Sequence, residues 1–221
     1  MQKHILKLGA ILIGAVVVAW MGWSTPQALA QQAPVPQTGE TTCWQASGAQ
    51  IPGGQIPCEG TGQDGDWQAG VEAPRMRFTN LNNGAVRDNL TGLVWLRDAR
   101  CFVQQTWHQS LTLANALAHG ACSLSDGSVQ GDWRMPNVKE FLSLFDYGQF
   151  APALPVGHPF QNVPGEGVSA DPRYWTSTTR LADALQFGFV DPFGINLTEG
   201  TMFGTGNGFD QYYLWPVRGG R

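Results

Sequence analysis

The chain has 221 residues, 43% of them apolar and only 14% charged, with 13 basic against 17 acidic side chains and a net charge of −4. That length allows a real buried core, and a mildly acidic chain without basic clusters argues against nucleic acid as a partner. How its four cysteines are used depends on the compartment.

The first thirty residues address that question. Lys3, His4 and Lys7 form a basic head, Leu8 to Trp23 is an uncharged apolar run, and Ala28-Leu29-Ala30 has the small-x-small pattern of a signal peptidase site. The run is shorter than the roughly 20 residues a spanning helix needs. Residues 1–30 are therefore read as a signal peptide; left uncleaved, it would be the route to a membrane. Cys43, the first cysteine, lies too far from the cleavage point for lipid attachment there. Cleavage takes Lys3 and Lys7 with it, so 11 basic and 17 acidic side chains remain on 191 residues, a net −6. Export implies a periplasmic or extracellular protein, where four cysteines read as two disulfides with three conceivable pairings. Nearest-neighbour pairing, Cys43–Cys58 and Cys101–Cys122, is the reading adopted. A predicted helix separates the second pair, so that bond requires both flanks to fold back along it.

Residues 31–40 are polar and proline-bearing, and read as a flexible lead-in. From 41 to 75 the chain is glycine-rich, as loops pinned by a disulfide would be. Residues 77–96 look like short strands, with a hairpin turn at Asn83-Gly84 and a buried strand at Leu93–Leu96. Thr106 and Gln109 form a capping box that opens a helix from Trp107 to His119, with Trp107, Leu111, Ala114 and Ala118 on one stripe. Pro136 stops any helix entering from upstream, and Asn137 with Glu140 caps a second one over 138–147. Its stripe is Val138, Phe141, Leu142 and Phe145.

Downstream the pattern alternates with period two, in Tyr174–Thr179, in Ala184–Val190 (Leu185, Phe187 and Phe189 on one face) and in Tyr212–Arg218 (Tyr213, Trp215 and Val217 on one face). The intervening 150–174 and 191–211 read as loops, Gly204–Gly208 being a flexible link. The fold class expected is α+β, two helices packed on a small twisted antiparallel sheet with long loops, as one domain over 41–221.

Seven tryptophans follow the leader. Trp95, Trp107, Trp175 and Trp215 lie on apolar faces and belong to a core. Trp44 and Trp67 sit in polar loops, where packing in the core or against the loops competes with a sugar-stacking platform. Asp64 and Asp66 begin like a calcium loop, but its third and twelfth acidic positions are Gln68 and Arg75, so a turn held by aspartate hydrogen bonds competes with calcium. Arg173, Arg180 and Arg218, with Arg221, are candidate contacts for an acidic glycan. Arg134, between Trp133 and Met135, suits a hydrogen-bond fork bracing loops. No Gly-x-Ser-x-Gly elbow, phosphate loop or C-x-x-C pair is present, so no catalytic residues are assigned.

With these pieces in order, the chain resembles the Lcl C-terminal domain family of bacterial proteins. The matching segments are Cys43 to Cys58, Gly62–Asp66, Arg77-Phe78-Thr79, Asp88–Trp95, Gly131–Glu140, Tyr174–Thr179 and Trp215–Gly220, covering nearly all of 41–221. The resemblance implies a C-type-lectin-like scaffold and exported proteins tied to surface adhesion, hence a non-catalytic binding module for a glycan or a cell-surface partner. Trp133–Pro136 with its capped helix is also similar to an element of formylglycine-generating enzymes. Those oxidases hold copper on late cysteines, and no cysteine follows Cys122. An enzyme of that kind is the competing class, and a structural envelope component without a ligand is the third.

Overall fold

A computed structural model describes residues 35–45, 53–163, 173–181, 185–186, 188, 190–206 and 208–219. The expected signal peptide lies outside the described residues, as do Phe187, Phe189 and Arg221. Among the described residues there are three helices, α1 (Asp64–Trp67), α2 (Trp107–Ala116) and α3 (Val138–Leu142), and nine strands in three antiparallel sheets, an α+β arrangement. β1 (Cys43–Trp44) pairs with β2 (Gln55–Ile56). β3 (Phe78–Asn80), β4 (Ala85–Asp88), β5 (Val94–Leu96) and β9 (Val217–Arg218) form a four-stranded sheet in that order. β6 (Arg173–Arg180), β7 (Asp191–Asn196) and β8 (Thr201–Gly204) form the third.

The segment 212–218 joins the two larger sheets. Tyr213 bridges Tyr174 of β6 in parallel, and Val217 pairs with Trp95 of β5 on one side and bridges Arg134 on the other. The expected seven-residue strand is thus broken into bridges, with only Val217–Arg218 regular. Between these sheets the main core gathers Trp95, Trp133, Phe141, Tyr174 and Trp215, all fully buried. Phe141 stacks against Trp95, Tyr174 and Trp215 with ring centroids 5.6 to 5.9 Å apart. Edge-on and tilted contacts at that spacing add to the area term. A smaller cluster holds Trp107, Trp175, Tyr212 and Leu214.

Both capping boxes form as the sequence predicts. The Thr106 Oγ1 accepts from the Gln109 N–H and the Asn137 Oδ1 from the Glu140 N–H, each returned by the N3 side chain. Both helices end early, at Ala116 and Leu142 rather than near 119 and 147, and tighter turns follow. The buried face of α2 runs through Trp107, Ser110 and Ala114 to Leu117, slightly rotated from the predicted stripe.

A register shift in β6 between Trp175 and Thr179 interrupts its pairing with β7, and the starts of α2 and α3 bond to this stretch. The Thr176 carbonyl accepts from Trp107 Nε1 at 2.8 Å, and Thr178 Oγ1 accepts from the Val138 N–H at 3.1 Å.

Other expectations need correction. Residues 191–204 form a hairpin of the third sheet instead of a loop, whereas Leu185, expected in a strand, is 78% exposed with helical backbone. The β3–β4 turn falls where Asn83-Gly84 predicts, but closes at Leu81 and Ala85 around three residues. Within the expected lead-in, residues 35–40 make backbone bonds to the body of the domain. Pro36 bridges Val71, and the Thr38 carbonyl accepts from the Tyr147 N–H at 2.7 Å. Those backbone bonds tie the segment down.

Candidate functional site

The disulfides are Cys43–Cys58 and Cys101–Cys122, with Cα atoms 5.1 and 5.7 Å apart. The first staples a small lobe. It fixes β1 to β2 in the register Cys43↔Ile56, and α1 lies against β1 because Gly65 has no side chain. A Cβ there would stand 2.5 Å from the Thr42 carbonyl oxygen. Gln63 ties the parts together: its Oε1 accepts from the Trp44 N–H at 2.9 Å, its Nε2 donates to the Trp44 carbonyl at 3.0 Å, and its own carbonyl accepts from the Trp67 N–H.

One glutamine therefore positions the backbones of both loop tryptophans, and both side chains face solvent. Trp44 is 54% exposed and Trp67 is 73% exposed, whereas Trp95, Trp107, Trp133, Trp175 and Trp215 are buried. Burying a large indole is worth several kcal/mol, about 25 cal/mol per Å². Other apolar side chains such as Phe150 and Phe209 are exposed too, but these two indoles stand in water on a pinned backbone.

Asp64 and Asp66 flank Gly65 in α1. The Asp64 carboxylate accepts from the Thr38 hydroxyl, and Asp66 accepts from the Gly62 N–H at 3.1 Å. Among the described residues no group of three or more His, Cys, Asp or Glu side chains is placed to hold a metal ion. Calcium takes six to eight oxygens, of which these two residues supply only part.

The three candidate arginines do not converge. Arg173 and Arg180 stand at opposite ends of β6, eight residues long and therefore about 23 Å from end to end. Arg173 lies over the rings of Phe203 and Tyr212, and Arg180 pairs with the buried Asp191 at 2.9 Å. Arg218, in the other sheet, covers the Trp133 ring and pairs with Asp126 at 3.2 Å. Burial alone would push the Asp126 carboxyl up, but the Ser128 hydroxyl and amide with the Arg218 guanidinium hold it below the ordinary carboxylate value. The pairs at Arg180 and Arg218 thus serve the fold.

Arg134 is the fork the sequence suggests. Its two terminal nitrogens meet the two Glu140 oxygens at 2.7 and 2.6 Å, and one also donates to the Gly219 carbonyl. The bidentate contact with Glu140 raises the guanidinium further above its ordinary value. Glu140 Oε2 also accepts from the Asn137 N–H, so the capping box and the fork share one carboxylate.

Two hollows were not legible in the sequence. A cleft of about 470 Å³ is lined by Arg75, Arg77, Asp146 and His158 among others. Arg77 is committed to the buried Asp88 and to the Ser143 carbonyl. Burial, with Glu40 nearby, pushes the Asp146 carboxyl above its ordinary value against the pull of the Gly148 N–H and Arg77. A groove of about 750 Å³ is more apolar, with Leu90, Leu93, Leu142 and Phe145 in its lining. Residues from four separate stretches build the cleft and from three the groove, and no local pattern announces either.

All four cysteines are consumed by the two disulfides, which fit an oxidising compartment. No thiol is therefore left to ligate copper. Among the described residues no helix is long and apolar enough to cross a membrane. The model of one family, the Lcl C-terminal domain, matches residues 84–218. The match is narrower than the sequence resemblance suggested, because it begins after the stapled lobe. No curated protein and no solved structure matches the chain.

Proposed function

The chain belongs to the Lcl C-terminal domain family, and from that premise we propose that it is an exported, non-catalytic module that binds a glycan at a cell surface. The contact surface is the solvent-facing pair Trp44 and Trp67. One observation carries the reading: two indoles are left in water on backbone fixed by a disulfide and a shared glutamine. Such a platform stacks on the apolar face of a pyranose at little ordering cost, because the backbone is already held. The scaffold behind it is read as C-type-lectin-like. The hydrogen bonds from the starts of α2 and α3 to β6 support that reading.

The family resemblance supports adhesion and a location in the periplasm or outside the cell, and the two disulfides agree with it. Calcium enters as an optional ion at Asp64 and Asp66.

A glycan array on the mature chain, with matched salt, calcium and chelator arms, tests the proposal. Trp44→Ala and Trp67→Ala each weaken binding about tenfold, the scale of one base-like or sugar-like stacking contact. Binding no better than that of the denatured chain would reject the sugar reading. Capture of an envelope protein by the same surface would replace it with a protein partner. Copper in the purified protein at one atom per chain would reopen the oxidase class.

A further inference from the structure

We infer that the surface around Trp44 and Trp67 selects a cationic glycan, one with free amino groups on its pyranose rings, over neutral or sulfated sugars. The inference rests on the glycan reading above and adds the charge of the ligand.

Charge is distributed very unevenly along the chain. From Leu8 to Pro74 there is no lysine, arginine or histidine, while Glu40, Glu59, Asp64, Asp66 and Glu72 all fall in that stretch. Every one of the 11 cations of the mature chain lies at Arg75 or beyond, facing 12 acidic side chains there. Of the net −6, five units belong to the lobe and its approach, and one to everything else. The domain body is close to neutral; the tryptophan lobe is not.

Position matters as much as count. Asp64 and Trp67 are three residues apart in α1, a spacing that puts side chains on one side of a helical turn, and both are exposed. Glu59, beside Cys58, and Glu72 are exposed too. An ammonium group set against the Trp67 ring would gain a cation–π contact and a carboxylate neighbour together. A sulfate or carboxylate at the same place would meet the like charge of Asp64. The candidate arginines for an acidic glycan are engaged in the body: Arg180 pairs with Asp191, Arg218 pairs with Asp126, and Arg173 covers Phe203 and Tyr212.

The test titrates the mature protein with three hexasaccharides, one of glucosamine, its N-acetylated form, and a sulfated one. Calorimetry and tryptophan fluorescence report binding, at a pH that protonates the sugar amines but stays above the carboxylate range. The glucosamine hexamer binds at least about tenfold tighter than its acetylated form. The preference shrinks as salt rises to about 0.15 M, where the screening length is only about 8 Å.

The double variant Asp64→Asn, Asp66→Asn retains the oxygen acceptors for Thr38 and Gly62. It lowers the preference about fivefold per carboxylate, the yield of one charge pair about 4 Å apart in water. Glu59→Gln and Glu72→Gln, read against an unchanged near-ultraviolet circular dichroism spectrum, carry the same test should that double variant misfold. Equal binding of the acetylated hexamer would overturn the inference and leave the glycan reading standing. Tightest binding of the sulfated hexamer would do the same. Failure of all three sugars would sink both, and an oligolysine peptide binding in their place would reassign the surface to a basic protein.

Discussion

The two disulfides close loops of similar length, 15 and 21 residues apart. Loop-closure entropy alone therefore assigns each about 3 kcal/mol. Their surroundings differ. Cys101 and Cys122 pack against the main core, whereas the lobe stapled by Cys43–Cys58 contributes no residue, among the described ones, to either apolar cluster. Replacing Cys101 and Cys122 by serine should lower the main thermal transition by about 6–12 °C, since a domain of this size loses about 2–4 °C per kcal/mol. Replacing Cys43 and Cys58 should leave that transition within about 2 °C, because the loss falls on a unit that opens locally. Differential scanning calorimetry reads the first effect. Limited proteolysis with mass-spectrometric mapping reads the second, as new cuts between 53 and 76 with the rest intact. An equal fall in the main transition for both variants would refute the separation, and would make the lobe part of the same cooperative unit as the core.

Other perturbations test the fold and its electrostatics. Phe141→Ala removes the ring that Trp95, Tyr174 and Trp215 share, and should cost about 3–5 kcal/mol in denaturant unfolding, with the slope unchanged. Gly84→Ala should cost more than about 1 kcal/mol: φ is +86° and a Cβ would stand 2.4 Å from the Ser123 carbonyl oxygen. Asp126 and Asp146 predict opposite responses to pH. The Asp126 carboxyl is held low, so its contribution is present above the unfolded value near 3.9 and is lost as pH falls through the lower folded value. Asp126→Asn should therefore be less stable at pH 7, by an amount that vanishes on acidification below about pH 4. The Asp146 carboxyl is held high by burial, so its charged form opposes folding. Asp146→Asn should gain stability at neutral pH, and the wild type should recover the difference as pH falls through the raised value.

Local chemistry was the legible part of the fold. Both capping boxes, both disulfides, the Arg134 fork and the burial of Trp95, Trp107, Trp175 and Trp215 depend on residues close in sequence or on unmistakable polarity. The third sheet was harder. Asp191-Pro-Phe-Gly-Ile-Asn196 carries a proline and a glycine, which count against a strand, yet β7 is the central strand of its sheet. Tertiary packing explains the glycine at least: a Cβ on Gly194 would stand 2.5 Å from the Phe203 ring of β8. The same limit hid the site. That Trp44 and Trp67 sit in polar loops was readable, but their exposure to water and the link of Trp44 to Gln63 were not, because that link spans 19 residues of sequence. The dispersal of Arg173, Arg180 and Arg218 over two sheets was equally invisible.

On the proposed function, fold and recognition fall to different stretches of this chain. The family match covers 84–218, and so do the Trp95–Phe141–Trp215 cluster, both capping boxes and the segment that joins the larger sheets. The exposed indoles and five of the acidic side chains precede it, on a lobe that shares no apolar core with the body among the described residues. A lobe with no stake in the core can change its surface without a stability cost to the domain, provided its disulfide and the Gln63 bonds persist. Specificity within such a family should then track the residues between the first two cysteines and the turn that follows them. A ligand exchanged by grafting residues 41–74, with the main thermal transition unmoved, is the outcome this division requires. A graft that carried the ligand preference nowhere would place recognition back in the 84–218 body.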